Sequence, residues 1–330
     1  MKRSLLLILL AGFAFSACQR DGPIILRIAN DMPLMHPKSQ GIEVFAAYIN
    51  EHSEGRIRVE TFHDGVLGGP NEYLEAIIAG TIQAATIGTE FEPRAPIVVS
   101  WEVPFLFPSW DYVRKVADSD FAATLYDNFP AEQNVRAVGW IPQGRRLMMT
   151  NRPIQSMADF SGFRLRVPQI DLYLAVGRNL GANPIAVPLA ELYTALEQGI
   201  VDGFELPHGN LVTGRFYEVL DYVLMTEHIT AFHNMFINEQ FFQSLDPELQ
   251  DVVLRAGRYM TDRTFQIAMD FERDALDYLV SQGVTLITPS EEFRRDLIAS
   301  QMLTRQMLFD MYPIVEYVVG RFEEIMAGGN

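Results

Sequence analysis

The sequence predicts an α/β protein of two closely joined domains, finished by long helices. Three observations carry this. Strand-like and helix-like hydrophobic patterns alternate over residues 24–87 and again over residues 146–204. From residue 246 onward the pattern is mainly helical. The 330 residues, 48% of them hydrophobic, suffice for two domain-sized cores, and no low-complexity linker separates them.

Residues 24–29 read as a strand. Residues 39–52 read as an amphipathic helix, with Ile42, Phe45, Ala46 and Ile49 on one stripe and Gly55 ending it. Residues 56–62 alternate polar and apolar groups, as a strand with one buried face does. Asp64-Gly65 and Gly68-Gly69-Pro70 mark a loop. Pro70 opens a short helix to Ile78 that Gly80 closes, and residues 82–87 are a third strand. Strand, helix, strand, helix, strand indicates a parallel sheet with covering helices.

The second unit begins near residue 145. Residues 146–150 and 163–167 read as strands, residues 171–180 and 189–198 as helices, and residues 200–204 as another strand. Asp246-Pro247-Glu248 is an N-cap with proline at the first helical position, and the pattern then runs to Val280 before Gly283. Residues 284–287 form a short strand. Thr288-Pro289-Ser290-Glu291 fits a capping box, and the helical pattern after it breaks at Pro313. Helices this long would brace two domains against each other. One domain is expected to comprise residues 24–144 with part of 232–280, the other residues 145–231 with part of 281–330, and a cleft lies between them.

Residues 1–17 read as a signal peptide. Lys2 and Arg3 precede an uncharged stretch over residues 5–15 that is too short to span a bilayer. Phe15-Ser16-Ala17 then leads into Cys18, the single cysteine, and resembles a bacterial lipobox; ordinary cleavage after Ser16 or Ala17 is the alternative. The expectation is an exported, periplasmic protein lipidated at Cys18. No second apolar run reaches a membrane-spanning length, and one cysteine permits no intrachain disulfide.

The formal net charge of -16 argues against nucleic acid as a partner. No zinc-protease, Cys-x-x-Cys, Gly-x-Ser-x-Gly or phosphate-loop motif is present. Beyond the leader the lysines are Lys38 and Lys115, and neither has the setting of a Schiff-base lysine. No enzyme activity and no cofactor are expected.

Arginine is concentrated in one place. Arg145, Arg146, Arg152, Arg164, Arg166 and Arg178 lie between Trp140 and Asn183 against Asp159 and Asp171, a local charge of +4. In the strand Phe163-Arg164-Leu165-Arg166-Val167, alternation puts both arginines on one face. An arginine held on a strand presents a planar fork to a carboxylate. The plainer reading is a solvated face, or pairing with the abundant acids.

Several segments, in order, resemble the solute-binding subunit of TRAP (tripartite ATP-independent periplasmic) transporters, DctP type. They are Leu26-Arg27-Ile28-Ala29-Asn30 with His36-Pro37, Phe62-His63-Asp64-Gly65-Val66-Leu67-Gly68, and Glu102-Val103-Pro104-Phe105-Leu106-Phe107. Gly162-Phe163-Arg164-Leu165-Arg166-Val167-Pro168 and the run from Glu191-Leu192-Tyr193 to Val201-Asp202-Gly203 complete the set. The resemblance implies a venus-flytrap fold of interleaved domains. It also implies a receptor that binds a small organic carboxylate and passes it to membrane permease subunits, without ATP. Alternatives are an exported hydrolase, or a binding protein serving another transporter or sensor.

The resemblance assigns Arg166 a two-pronged salt bridge to the ligand carboxylate and Arg146 a second basic contact. Asn30, Gly88, Gln169, Leu189 and Leu206 match cleft-lining positions of the sialic-acid-binding branch. There Gly88 replaces an acidic residue, Leu189 an aromatic one and Leu206 an asparagine. These departures argue for a ligand with a carboxylate at one end and a smaller or more apolar body. Tyr173 is a candidate for stacking on the ligand, as are Trp101, Phe105 and Phe232, although aromatics so placed also serve as core. His36, His208 and His233 are candidate donors. Glu205 either accepts from the ligand or a bound cation, or orients an arginine. Whether a cation assists is left open.

Overall fold

The computed structural model describes residues 22–329. The expected signal peptide and Cys18 lie outside the described residues. Ten strands are described: β1 (Ile24–Ala29), β2 (Ile57–Phe62), β3 (Ala84–Ile87), β4 (Val135–Thr150), β5 (Arg164–Val167), β6 (Asn183–Ala186), β7 (Gly203–Pro207), β8 (Tyr222–Leu224), β9 (Thr230–Asn238) and β10 (Thr285–Ile287). The helices are α1 (Pro37–His52), α2 (Pro70–Ala79), α3 (Trp110–Ala117), α4 (Asp120–Thr124), α5 (Phe129–Gln133) and α6 (Asp171–Asn179). They continue with α7 (Leu192–Glu197), α8 (His208–Thr213), α9 (Glu239–Ser244), α10 (Pro247–Ser281), α11 (Glu291–Met311) and α12 (Pro313–Ala327). None is long and apolar enough to cross a membrane, among the described residues.

The strands run in the order β2-β1-β3-β9-β4-β7-β5-β6. At one end β2, β1 and β3 are parallel, and at the other β7, β5 and β6 are parallel. The middle is antiparallel, because β9 pairs with both β3 and β4. The parallel arrangement expected for the three strands of the first unit is present in β2-β1-β3, and β9 extends it in the antiparallel sense. Strand β4 joins the halves: it pairs with β9 from Val135 to Arg145, then with β7 from Arg146 to Thr150. Its changeover falls between the two consecutive arginines.

The pattern over residues 146–150 caught only the end of β4. The earlier part carries Gly139, Pro142 and Gly144, with register irregularities at Ala137/Gly139 and Pro142/Gly144, and such bulges break the alternation. Strand β9 was missed because it is buried on both faces and so does not alternate. The expected helix over residues 189–198 is a short 3₁₀ turn followed by α7, and the strand expected over residues 200–204 begins only at Gly203. No capping box forms at residues 288–291; Ser290 alone caps α11, accepting from the Phe293 N–H.

The long helices brace both halves. Helix α10, 35 residues long, packs on α1, β4 and α8. Gly257 lets it approach β4, since a Cβ there would overlap the Val138 carbonyl. The chain then breaks at Pro313 as expected, so that α11 packs on α6 while α12 returns to α3 and the turn Pro96–Glu102. Trp101, Phe107, Trp140, Phe232 and Phe322 interlock in the core there, which settles Trp101 and Phe232 as packing residues.

Candidate functional site

Parallel strands deliver most of the expected residues to one place. Asn30 follows β1, Gly88 follows β3, Arg166 and Gln169 sit at and beyond the end of β5, Leu189 follows β6, and His208 follows β7. The carboxyl ends of parallel strands are where open α/β sheets bind ligands. The two halves meet here. His36 Nε2 lies 3.4 Å from Asn210 Oδ1, and Asn210 Nδ2 lies 3.3 Å from Met32 Sδ. Thr89 Oγ1 lies 3.5 Å from the Tyr173 hydroxyl.

The arginines divide sharply. Arg164 pairs with Asp202 at 2.5 Å on the surface, Arg145 pairs with Glu227 at 2.7 Å, and Arg152 donates to the Asp159 carbonyl. Those three follow the plain reading, and Arg178 is exposed. Arg146 is buried and grips Glu205 with both Nε and Nη2, the latter at 2.7 Å from Oε1. Its guanidinium lies 4.3 Å from the centre of the Tyr173 ring. Tyr173 thus stacks on an arginine, and its hydroxyl donates to Glu102.

Arg166 is different. It is 2% exposed, its Nε donates to the Val187 carbonyl at 2.8 Å, and its two terminal nitrogens meet no carboxylate among the described residues. Burial, with Arg146 nearby and Glu205 opposing, pulls its guanidinium down to about 10, so it stays charged at neutral pH. A buried cation without an ion-pair partner is costly, and a ligand anion relieves that cost.

Register places Arg166 opposite Phe204 on β7, so Leu206, two residues on, shares its face. Leu206 is buried and Leu189 half-buried, both in the apolar cluster around Leu192 and Leu211. Glu205 points to the other face, fully buried; burial pushes its carboxyl up, but Arg146 and His228 hold it below the usual range. Its carboxylate holds Arg146. Gln169 is exposed at the rim.

The facing wall comes from β1, β3 and the start of α1. Asn30 is buried and bound locally, to Ser39 Oγ at 2.6 Å and His63 Nδ1 at 3.0 Å. His36 caps α1 by accepting the Lys38 N–H, and burial, helped by Lys38, drives its imidazole down to about 3. A Cβ on Gly88 would lie 2.7 Å from the His233 ring. Burial holds His233 well below its usual value, and its Nδ1 has no hydrogen-bond partner among the described residues. His208 donates its Nδ1–H to the Arg145 carbonyl at 2.9 Å.

Sequence reasoning missed part of this wall. Lys38, given no role above, is fully buried and paired with Asp31, whose other neighbour is the Tyr73 hydroxyl at 3.3 Å. Glu90 accepts the Gly88 N–H at 3.0 Å, and burial raises its carboxyl. A lysine inside a helix start flanked by His36 and Ser39 was the available signal, in a chain with few lysines.

The family described as bacterial extracellular solute-binding protein, family 7 (DctP), matches residues 28–307. The chain belongs to that family. This solute-binding protein is a TRAP-type receptor and not an enzyme. It is 29% identical over 257 residues to the sialic acid-binding periplasmic protein SiaP of Vibrio cholerae, covering 76% of this chain and 79% of the relative. A TRAP periplasmic solute-binding protein from Desulfovibrio desulfuricans, solved with sn-glycerol-3-phosphate, superposes with a TM-score of 0.88 at 26% identity, over 91% of this chain and 97% of the other. The sugar acid binding protein DctPAm from Advenella mimigardefordensis, solved with galactonate, gives 0.87 at 27% identity, over 92% and 99%. The two-domain fold and the receptor class expected from the sequence are both met.

Proposed function

We propose that the cleft binds a small organic carboxylate on Arg166 and that the loaded protein delivers it to TRAP membrane permease subunits. The observation that carries this is the Arg166 guanidinium, buried, charged and without a carboxylate of its own. Two parallel charge-assisted hydrogen bonds to a ligand carboxylate fit its free terminal nitrogens. Arg146 is engaged by Glu205 and supports the site as a fixed neutral pair. The relatives solved with galactonate and L-gulonate support an acid ligand.

The domain assignment is residues 24–144 with part of 232–280, and residues 145–231 with part of 281–330. The switch of β4 between partners at Arg145/Arg146 supports it. Closure around the ligand expels water and strengthens the Arg166 ion pair. Asn30, His36, Gly88 and His233 form the facing wall, Tyr173 and Glu205 fix Arg146, and Leu189, Leu206 and Gln169 flank Arg166. The ligand's body meets apolar groups beside Arg166 and polar ones opposite. Export on residues 1–17, with lipidation at Cys18, places the receptor in the periplasm.

A thermal-shift screen of residues 19–330 against sugar acids, dicarboxylates, 2-oxo acids and aromatic carboxylates, with and without calcium, tests this. An acid at about 100 times its dissociation constant adds about 2.7 kcal/mol of stability. A response confined to neutral sugars or peptides, or none, contradicts the proposal.

A further inference from the structure

The charges around the cleft constrain the ligand's net charge. Three cations are buried here: Arg146, Arg166 and Lys38. Arg146 is held by Glu205 and Lys38 by Asp31, each in direct contact. Only Arg166 is left to meet an anion from outside. The wall opposite carries the reverse surplus. Glu90 sits next to Thr89, which reaches Tyr173 across the cleft, and its carboxylate accepts from backbone N–H groups, that of Gly88 at 3.0 Å, with no ion pair among the described residues. Glu102, 2% exposed, is likewise bound only by the Tyr173 hydroxyl and the Phe232 N–H at 3.2 Å.

We infer that the ligand is a singly charged acid, with a carboxylate at Arg166 and a neutral hydroxyl-bearing far end turned to Glu90, and that dicarboxylates are rejected. This rests on the carboxylate reading of Arg166. A second carboxylate would find no unpaired cation and would face Glu90 and Glu102 in a water-poor cleft, where like charges repel strongly. A hydroxyl would instead donate to the open acceptor sites of Glu90. Burial, which raises the Glu90 carboxyl and brings Glu102 up to about 7, agrees: the nearby cations Lys38 and Arg146 do not offset burial at these acids, and added negative charge would strain them further. Specificity is then set by repulsion as well as attraction.

Matched acids test it. Calorimetric titrations of the wild-type protein would compare 4-hydroxybutyrate with succinate, threonate with tartrate, xylonate with xylarate, and gluconate with glucarate. Each pair differs in a terminal alcohol against a terminal carboxylate. The expected result is that any pair that binds does so at least about tenfold more tightly as the monocarboxylate. Glu90→Gln, checked by circular dichroism for folding, should narrow that ratio by about threefold or more, because the amide keeps an acceptor and loses the charge. A diacid bound as tightly as its partner overturns the single-charge inference and leaves the Arg166 reading intact. No binding by any acid of either kind overturns both, and an unchanged ratio in folded Glu90→Gln removes Glu90 from the role.

Discussion

Arg146 and Glu205, on neighbouring antiparallel strands, close on each other inside the protein, with Arg146 Nη2 2.7 Å from Glu205 Oε1 and 3.1 Å from the Glu205 carbonyl. The strand register puts Glu205 opposite Met148, so the pair spans two residues diagonally. It leaves Arg166 as the buried guanidinium with no carboxylate partner among the described residues, the group that the proposed function assigns to the ligand.

Glu205→Ala leaves Arg146 charged and unpaired in the interior. Urea denaturation should show a loss of about 3–5 kcal/mol. The double variant Arg146→Met, Glu205→Leu should be distinctly more stable than the single one, since it removes both charges.

Gly257→Ala forces a methyl into the Val138 carbonyl, where backbone meets backbone. The expected cost is about 2–4 kcal/mol, seen as a lower denaturation midpoint. Gly320→Ala, with open space around it in the interior of α12, should instead stabilise the protein by about 0.5–1 kcal/mol.

Glu92 is 4% exposed, and its Oε1 has no hydrogen-bond partner among the described residues. Burial, with Asp171 nearby, pushes its carboxyl up to about 7. A raised carboxyl favours the protonated form in the fold, so its contribution is complete below about 4.5 and is lost as pH rises through about 7. Glu92→Gln should therefore stabilise the protein at pH 8 by about 1–3 kcal/mol and leave it nearly unchanged at pH 5. Thermal unfolding at both values checks this.

Gly88→Ala should displace the His233 ring, because the added Cβ would sit 2.7–2.8 Å from its Cδ2 and Nε2 and 3.0 Å from the Phe232 carbonyl. Ligand affinity should fall by about tenfold, measured by titration.

Much of this was legible beforehand. Helices α1, α2, α6, α10 and α11 fell within a few residues of expectation: prolines or a capping serine mark the starts of α2, α10 and α11, and apolar residues at helical spacing mark α1 and α6. Arg166 was legible through the alternation of its strand and the family resemblance together; alternation alone gave Arg164 equal standing. What separates them is the position of Asp202, which follows β6 and α7 in the chain and comes beside Arg164 only when β7 pairs with β5. Lys38 with Asp31 was hidden for a similar reason. Seven residues apart, they meet through the turn before α1, and nothing in their spacing announces a buried pair. Strand β9 and the first part of β4 lacked a period, being buried on both faces or bulged.

Arg166, on the reading proposed above, is held in reserve for a ligand carboxylate. Isothermal titration of the best-binding acid into wild type and Arg166→Ala, beside the unfolding free energy of each without ligand, tests it most directly. The expected result is a loss of about two to four decades in affinity, with the ligand-free variant as stable as wild type or more so, because the arginine forms no ion pair among the described residues. A loss below about threefold in affinity would contradict it, as would a large drop in ligand-free stability.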